Sequence, residues 1–305
     1  MPDSGRVGYL GPEGTFSEEA LLQSAIADAI EPVPLGTIYD TVMALRDGEL
    51  EWAVVPIENS LEGSISVTLD LLAGEASDVE IVGETLLRVR HSLIAAGPLE
   101  LAEIHTVLTH PQVPGQCTLF LRGELAHAQI LPASSTAEAV RIVAGDRGPA
   151  SAQRGRAALG TLLAAEIYGG TVLREGVEDR DDNQTRFVWL ARAHENGDRF
   201  KDGGPPLSSA AGGEWKTSVV FWGPGAERPG WLVRCLDEFA RRDINLTRIE
   251  SRPRRDGLGS YMFFADLAGR ASETPVAEAI AGVRALSEEL RVLGSYRVQE
   301  QPAPA

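Results

Sequence analysis

The chain has 305 residues, 43% apolar and 24% charged, close to the globular average and long enough for about two domains. Its 44 acidic against 28 basic side chains give a formal net charge of −16, which argues against nucleic acid or acidic lipid as a partner, because both need a basic footprint. An anionic ligand would have to be held locally, by amides, helix N-termini or a few placed bases. The first half alternates short strands and helices. Arg6–Leu10 reads as a strand, and a turn-rich loop "GPEGTFS" follows. A helix is expected over about Glu18–Ile30, with Leu21, Ala25 and Ala29 beside Leu22, Ile26 and Ile30 on one stripe and Thr15-x-x-Glu18 as a capping box. Trp52–Ile57 is a nearly continuous apolar run, as in a buried parallel strand. Glu80–Ala96 alternates and reads as one long strand that could cross between lobes. "IHTVLTH" is a strand running into Pro111, and "SSTAEAVRIVAG" is a helix with a second capping box, Ser135-x-x-Glu138, and a Gly145 stop. This alternation indicates an α/β domain.

After Ala193 the pattern fails. Residues 194–214 are rich in Gly, Pro and Ser and read as a linker or exposed excursion. A second unit over 215–300 has the order β-α-β-β-α-β: "KTSVVFW", "GWLVRCLDEFARRD", "INLTRIESRP", "GSYMFFADLAG", "VAEAIAGVRALSEEL" and "RVLGSYRV". That is the ferredoxin-like split pattern. Cys117 and Cys235 are far apart in sequence, a reducing-compartment pattern. No apolar run approaches membrane-spanning length and no secretory signal is visible, so a soluble, cytoplasmic protein is expected.

Three strand-to-helix junctions concentrate polar groups. In "VVPIENSLEGSIS" a buried strand ends and releases Glu58, Asn59 and Ser60, the place where open α/β sheets bind ligands. From composition alone, a polar loop with Asn and Ser as caps accounts for this stretch slightly better. The same grammar recurs in "VLTHPQVPGQCTLFL", with Thr109, His110 and Gln116, and in "GYLGPEGTFSEEA", with Thr15. His110 by itself is more often a structural histidine than an acid. "GPEGT" lacks the Lys-Ser/Thr of a nucleotide loop, and "GTFSEEA" lacks the second glycine of a hydrolase elbow. No His, Cys or Asp cluster has metal-ligand spacing, so no metal or other cofactor is expected. In "DDNQTRFVWLAR" a polar turn meets a strand at Thr185. Strand alternation puts Thr185, Phe187 and Trp189 on one face and Arg186 and Val188 on the other. Thr185 could open its hydroxyl to a cleft, or could stand there as a good strand former after an Asp/Asn turn.

Taken together, "GYLGPEGTFSEEA", "VVPIENSLEGSISVTLDLL", "THPQVPGQC", "DDNQTRFVWLAR" and "GWLVRCLDEFARRDINLTRIESRP" resemble the prephenate dehydratases over nearly the full length. The resemblance implies a catalytic domain over 5–193 made of two α/β lobes similar to type II periplasmic binding folds, the second lobe over about 84–172. It also implies a C-terminal ACT regulatory domain. The implied reaction is decarboxylative dehydration of prephenate to phenylpyruvate, carbon dioxide and water on the route to phenylalanine. It implies Thr185 as the residue on which the leaving hydroxyl depends, Asn59 and Gln116 as positioning amides and Glu58 as a charge neighbour. Thr15, Ser60, Thr109, Arg186 and Phe187 are the implied substrate contacts.

In the C-terminal unit the resemblance implies L-phenylalanine as effector and pairing into a homodimer or homotetramer. The effector residues would be Gly230, Leu232, Asn245 and Leu246, with Glu250, Ser251, Arg252 and Pro253 as the Glu-Ser-Arg-Pro motif. Trp231 stands where the family has alanine. It could point away from the ligand, reshape the site or anchor an interface. Two alternatives remain at this stage: arogenate dehydratase, and a non-catalytic amino-acid sensor.

Overall fold

The computed structural model describes residues 5–145, 154–193, 205–208, 213–224, 228–255, 257 and 259–298. In chain order the elements are β1 (Gly5–Leu10), α1 (Phe16–Ser24), β2 (Ile30–Leu35), α2 (Ile38–Arg46), β3 (Trp52–Asn59), β4 (Gly63–Ser64), α3 (Ser66–Ala73), β5 (Val79–Arg88) and β6 (Ser92–Ala95). There follow β7 (Thr106–Thr109), α4 (Val113–Gln116), α5 (Thr118–Glu124), β8 (Gln129–Pro132), α6 (Thr136–Gly145), β9 (Arg156–Gly160), α7 (Leu162–Tyr168), β10 (Thr171–Arg174) and β11 (Gln184–Arg192). The C-terminal unit is β12 (Trp215–Trp222), α8 (Trp231–Ala240), β13 (Leu246–Pro253), β14 (Tyr261–Ala268), α9 (Thr274–Leu286) and β15 (Glu289–Arg297).

Two sheets organise these elements. One has ten strands in the order β13-β14-β12-β15-β5-β11-β3-β1-β2, with β4 beside β3. The other has five, β10-β6-β9-β7-β8. In the first, β1 runs parallel to both β2 and β3, while β11 is antiparallel to β3 and β5. An antiparallel strand begins where its parallel neighbours end. Thr185 at the start of β11 therefore lies opposite Asn59 at the end of β3. The strand reads as expected from its apolar run, since Ala53, Val54, Val55 and Ile57 are buried.

Three expectations need correction. The first helix stops at Ser24 instead of Ile30, because Ile30 opens β2 against β1. Pro32 and Pro34 disguise that strand, and its place at the sheet edge tolerates them. The long strand over Glu80–Ala96 is broken at residues 89–91: β5 belongs to the ten-stranded sheet and β6 to the other. The second lobe's sheet accordingly begins at Ser92 rather than near Glu84, and ends at Arg174. The chain crosses between lobes twice, before β6 and after β10.

Most of the expected linker lies outside the described residues, but Leu207 does not hang in solvent. It packs on the core beneath α1, the Ile26 amide donates to Pro206 O, and Gly83 is bare where a Cβ would strike Leu207. The C-terminal unit shares its sheet and a core with the first lobe. Gly294 on β15 pairs with Ile81 on β5, and a Cβ at Gly294 would run into the Ile81 carbonyl. On one face, Val220, Met262, Phe264, Leu293 and Tyr296 join Leu69, Leu72 and Ile81 in a single cluster. On the other face, α8 and α9 cover Val219, Phe221, Ala265 and Leu267.

Candidate active site

A cleft of about 830 Å³ lies between the sheets. Its walls carry Asn59 from the end of β3, Gln116 from α4 and Thr185 from β11, with Thr15, Phe187 and His91. The three residues singled out from separate stretches thus share one cavity. No Lys or Arg is among the described residues lining it.

The polar groups in this cleft fix one another's direction. Asn59 Oδ1 accepts from the backbone amides of Leu61 and Glu62, at 2.9 and 3.0 Å, an Asx-type turn that decides which end of the amide is oxygen. Asn59 Nδ2 therefore donates, to Thr185 Oγ1 at 2.9 Å and to Asn183 Oδ1 at 3.0 Å. With its oxygen accepting from Asn59, Thr185 keeps its O–H for another acceptor, and Thr185 faces the cleft. Asn183 in turn donates from Nδ2 to Gln116 Oε1 at 3.2 Å, and His91 Nε2 lies 3.0 Å from the same oxygen. Gln116 Nε2 donates to Glu62 Oε1 at 3.2 Å, and Gln112 also donates to Glu62. Glu62, on the turn after β3, thus ties the first lobe to α4 across the cleft.

Asn183, His91 and Glu62 were not singled out from sequence. Asn183 carried a signal, since it stands two residues before Thr185 in the polar turn that leads into the strand. His91 carried none, since it is one polar residue among several in an alternating stretch read as a single strand.

Other expected contacts lie elsewhere. The Thr109 hydroxyl is buried and donates to Leu159 O at 3.1 Å, so it braces β9 instead of facing a ligand. Ser60 accepts from the Gln184 amide at 3.0 Å and tightens the β3–β11 turn. Thr15 does line the cleft, but its hydroxyl is engaged as the N-cap of α1, accepting from Glu18 N and donating to Leu10 O. Glu18 closes the cap on the Gly14 amide at 2.5 Å, one residue earlier than the box expects.

Arg186 and Glu58 are the largest departures. Both project from the opposite sheet face, and neither lines the cleft. Arg186 is buried and donates to Glu84 at 2.7 Å, Asp266 at 2.6 Å and the Tyr296 hydroxyl at 2.7 Å. Lys216 also reaches Glu84, at 2.7 Å. Burial pushes the Asp266 carboxyl up, but Arg186 and the Ser218 hydroxyl outweigh it and hold the group below its usual range. Burial pushes the Tyr296 hydroxyl well up, keeping it a neutral donor or acceptor. Glu58 lies 3.5 Å from Arg186 and 3.7 Å from Arg248. These are structural ion pairs that clamp β11, β5 and β3 to β13, β14 and β15.

In the C-terminal unit, Gly230 caps α8 in a left-handed conformation and lines a cavity of about 480 Å³ together with Leu232. Trp231 turns into the unit's own core: it is buried, donates to Leu286 O at 2.6 Å and packs on Phe221 and Phe263. The other expected effector residues do not line that cavity. Glu250 meets Ser64 on β4, and Arg252 donates to Asp70 and to Ser66 on α3, at 2.9 and 2.6 Å, so both face the first lobe. Asn245 and Leu246 serve the unit itself: the Asn245 carbonyl accepts from Ala268, and Leu246 packs on the helix-side core. Ser251 is exposed, and Pro253 edges the crevice between the two units.

The family model for prephenate dehydratase matches residues 7–195. The chain belongs to the prephenate dehydratase family. A prephenate dehydratase of Mycobacterium sp. (strain KMS) is 39% identical over 301 residues, covering 95% of this chain and 88% of that one. The solved prephenate dehydratase of Arthrobacter aurescens in complex with L-Phe superposes with a TM-score of 0.81 at 36% identity, covering 96% of this chain and 89% of that one. A third relative, GqqA, is described as a novel type of quorum quenching acylase; it superposes at 0.78 with 28% identity, covering 96% of this chain and 98% of that one. These relatives thus match nearly the whole length of this chain.

Proposed function

We propose that this protein is a prephenate dehydratase that converts prephenate to phenylpyruvate, carbon dioxide and water, with Thr185 serving the departing hydroxyl. The observation that carries the assignment of Thr185 is the direction of its O–H. Because Asn59 is pinned as a donor, the threonine oxygen accepts within the protein and its hydrogen is left for the substrate. In the reaction the ring C–O bond breaks and the oxygen leaves as water with one added proton. The ring carboxylate leaves as carbon dioxide, and the electron pair of its C–C bond completes the aromatic ring. Hydroxide is a poor leaving group, so a hydrogen bond aimed at the oxygen as charge develops lowers the barrier. Threonine is too weak an acid to end as an alkoxide, so it directs or relays a proton that solvent replaces.

Prephenate is a dianion, and the lining of this cleft offers amides where other proteins use arginine. The N-terminal ends of α1 and α6 open onto it at Phe16, Ser17, Ser135 and Thr136, where first-turn N–H groups that no intrahelical carbonyl reaches and the helix dipole favour carboxylates. Acyl transfer fits less well. Thr185 sits beside an amide donor, not a base, and burial raises the Cys117 thiol to about 12. The cleft does not distinguish prephenate from arogenate, its α-amino analogue, so both belong in the assay. The test is ultraviolet detection of phenylpyruvate from prephenate, without added metal, for the wild type and Thr185→Val. The isosteric variant keeps the shape and removes the hydroxyl, and a loss of roughly 10²–10³-fold in kcat is expected. A folded valine variant turning over at the wild-type rate would overturn the role of Thr185.

The regulatory reading extends to the C-terminal unit, residues 215–298, as an ACT domain that binds L-phenylalanine in the cavity at Gly230 and Leu232 and pairs with a second copy. The β-α-β-β-α-β order and the L-Phe complex of the Arthrobacter relative support it. Glu250 and Arg252 then act in coupling to β4 and α3 of the first lobe. Titration with L-phenylalanine, read by activity and sedimentation, tests this; no change in either would remove the proposal. Two free, buried cysteines fit work in the cytoplasm.

A further inference from the structure

His91 sits in the first crossing between the lobes, and nothing in the reaction chemistry above uses it. Its backbone is tied on both sides to the second crossing: its N–H donates to Glu178 Oε2 at 2.9 Å, and its C=O accepts from Val177 N at 3.0 Å. Its ring packs at 86° to that of Phe16, with centroids 5.5 Å apart. The residue is 1% exposed yet lines the cleft.

The tautomer of this ring follows from residues far from it. The amides of Leu61 and Glu62 fix Asn59 Oδ1, so Asn59 Nδ2 must face Asn183 Oδ1. Asn183 then has its amino group toward Gln116, which makes the Gln116 atom facing it the carbonyl oxygen. An oxygen 3.0 Å from His91 Nε2 requires a proton on that nitrogen. Nδ1 is then a bare acceptor, and it is buried without a hydrogen-bond partner among the described residues. A second proton there would be an unpaired buried donor. Burial accordingly lowers the His91 pKa, against the opposing pull of Gln116 and Glu178.

We propose that His91 is a positioning residue for the dehydratase reaction: as the neutral Nε2–H tautomer it locks the amide of Gln116 with its amino group toward the substrate. With Oε1 committed to His91 and Asn183 and one N–H given to Glu62, Gln116 can offer the substrate only its remaining N–H. The reversed amide would present a carbonyl oxygen to a dianion, in a cleft that has no lysine or arginine among its described lining residues. The position of His91 also makes the lock dependent on lobe geometry, because both crossings hold its backbone.

The proposal rests on the dehydratase reading. Failure of that reading would show as a wild-type protein that does not turn over prephenate; the variants below, by contrast, are measured against an active wild type. In His91→Gln the side-chain amide reaches the place of Nε2 and can donate to Gln116. In His91→Asn it reaches only the place of Nδ1. One lost hydrogen bond of this kind corresponds to about tenfold in rate. The expected result is kcat down by about tenfold in His91→Ala and His91→Asn, KM changed by less than about threefold, and kcat largely restored in His91→Gln. In a Gln116→Ala background, His91→Ala should cost nothing further, because the group it positions is gone. Nitrogen-15 shifts of the ring should report a protonated Nε2 and a bare Nδ1 in the folded enzyme. The proposal is overturned by wild-type kcat in His91→Ala, by a glutamine variant no better than asparagine, by additive losses with Gln116→Ala, or by the opposite tautomer. Should His91→Ala fail to fold, the Gln and Asn pair and the ring shifts decide.

Discussion

Asn59 and Thr185 show how one amide can set the direction of a hydroxyl that faces a cleft. The two backbone amides after Asn59 choose its acceptor end, and everything downstream follows from that choice. Asn59→Asp tests this at almost constant size. A carboxylate can still accept from Leu61 and Glu62, but its second oxygen would take the Thr185 hydrogen for itself. It would also face Asn183 Oδ1, oxygen against oxygen. We expect kcat/KM for prephenate to fall by roughly 10²–10³-fold with the circular dichroism spectrum unchanged. An Asp variant within threefold of wild type would mean the Thr185 proton is not directed by residue 59. The sequence made Thr185 legible because strand alternation puts it on one face at the first strand position. It did not reveal Asn183, since a residue in a loop has no periodicity to say where it points. Thr109 looked like a ligand group because its hydroxyl stands at a strand end; its bond to Leu159 O depends on a strand 50 residues away.

At the scale of elements, β11 is a strand with two occupations. Thr185 faces the cleft, and its neighbour Arg186 faces a buried polar layer shared with β5, β14 and β15. Alternation sets Arg186 on the far face from Thr185, whereas the family resemblance implied it as a substrate contact. What covers that far face could not be read, because Asp266 and Tyr296 arrive from a unit expected beyond a linker. The same kind of tertiary decision breaks the alternating run over residues 80–96 into β5 and β6. The pattern of apolar residues continues through the break, and only the existence of two sheets explains it. Arg186→Met removes the cation and leaves Glu84 and Asp266 in the layer, with Lys216 serving only Glu84. Breaking a buried pair from one side costs about 4 kcal/mol. A shift of the thermal midpoint by roughly 8 °C is expected, read by calorimetry. A midpoint within a degree or two of wild type would show that the layer relaxes around neutral carboxyl groups and is not an ionic clamp.

For the molecule as a whole, charge sets a condition on how substrate arrives. The protein carries −16 and its proposed substrate carries two negative charges, so the long-range field opposes encounter. The cleft lining supplies no lysine or arginine among its described residues to reverse that field locally. On the function proposed above, its attraction comes from amide dipoles and helix N-termini, which act over a single turn and are felt only after entry. Salt therefore separates the two ranges. At about 0.01 M ionic strength the screening length is about 30 Å and the whole acidic surface repels the substrate. At about 0.1 M it is about 10 Å, so the distant carboxylates fade while the short contacts inside the cleft survive. The KM for prephenate should accordingly fall as monovalent salt rises through that range, with kcat nearly constant, as initial rates at several salt concentrations would show. A KM that instead rises with salt would be the signature of a local cation clamp on the carboxylates. The holding groups would then have to be sought among basic side chains that reach the cleft once substrate is bound, instead of among the amides of α1 and α6.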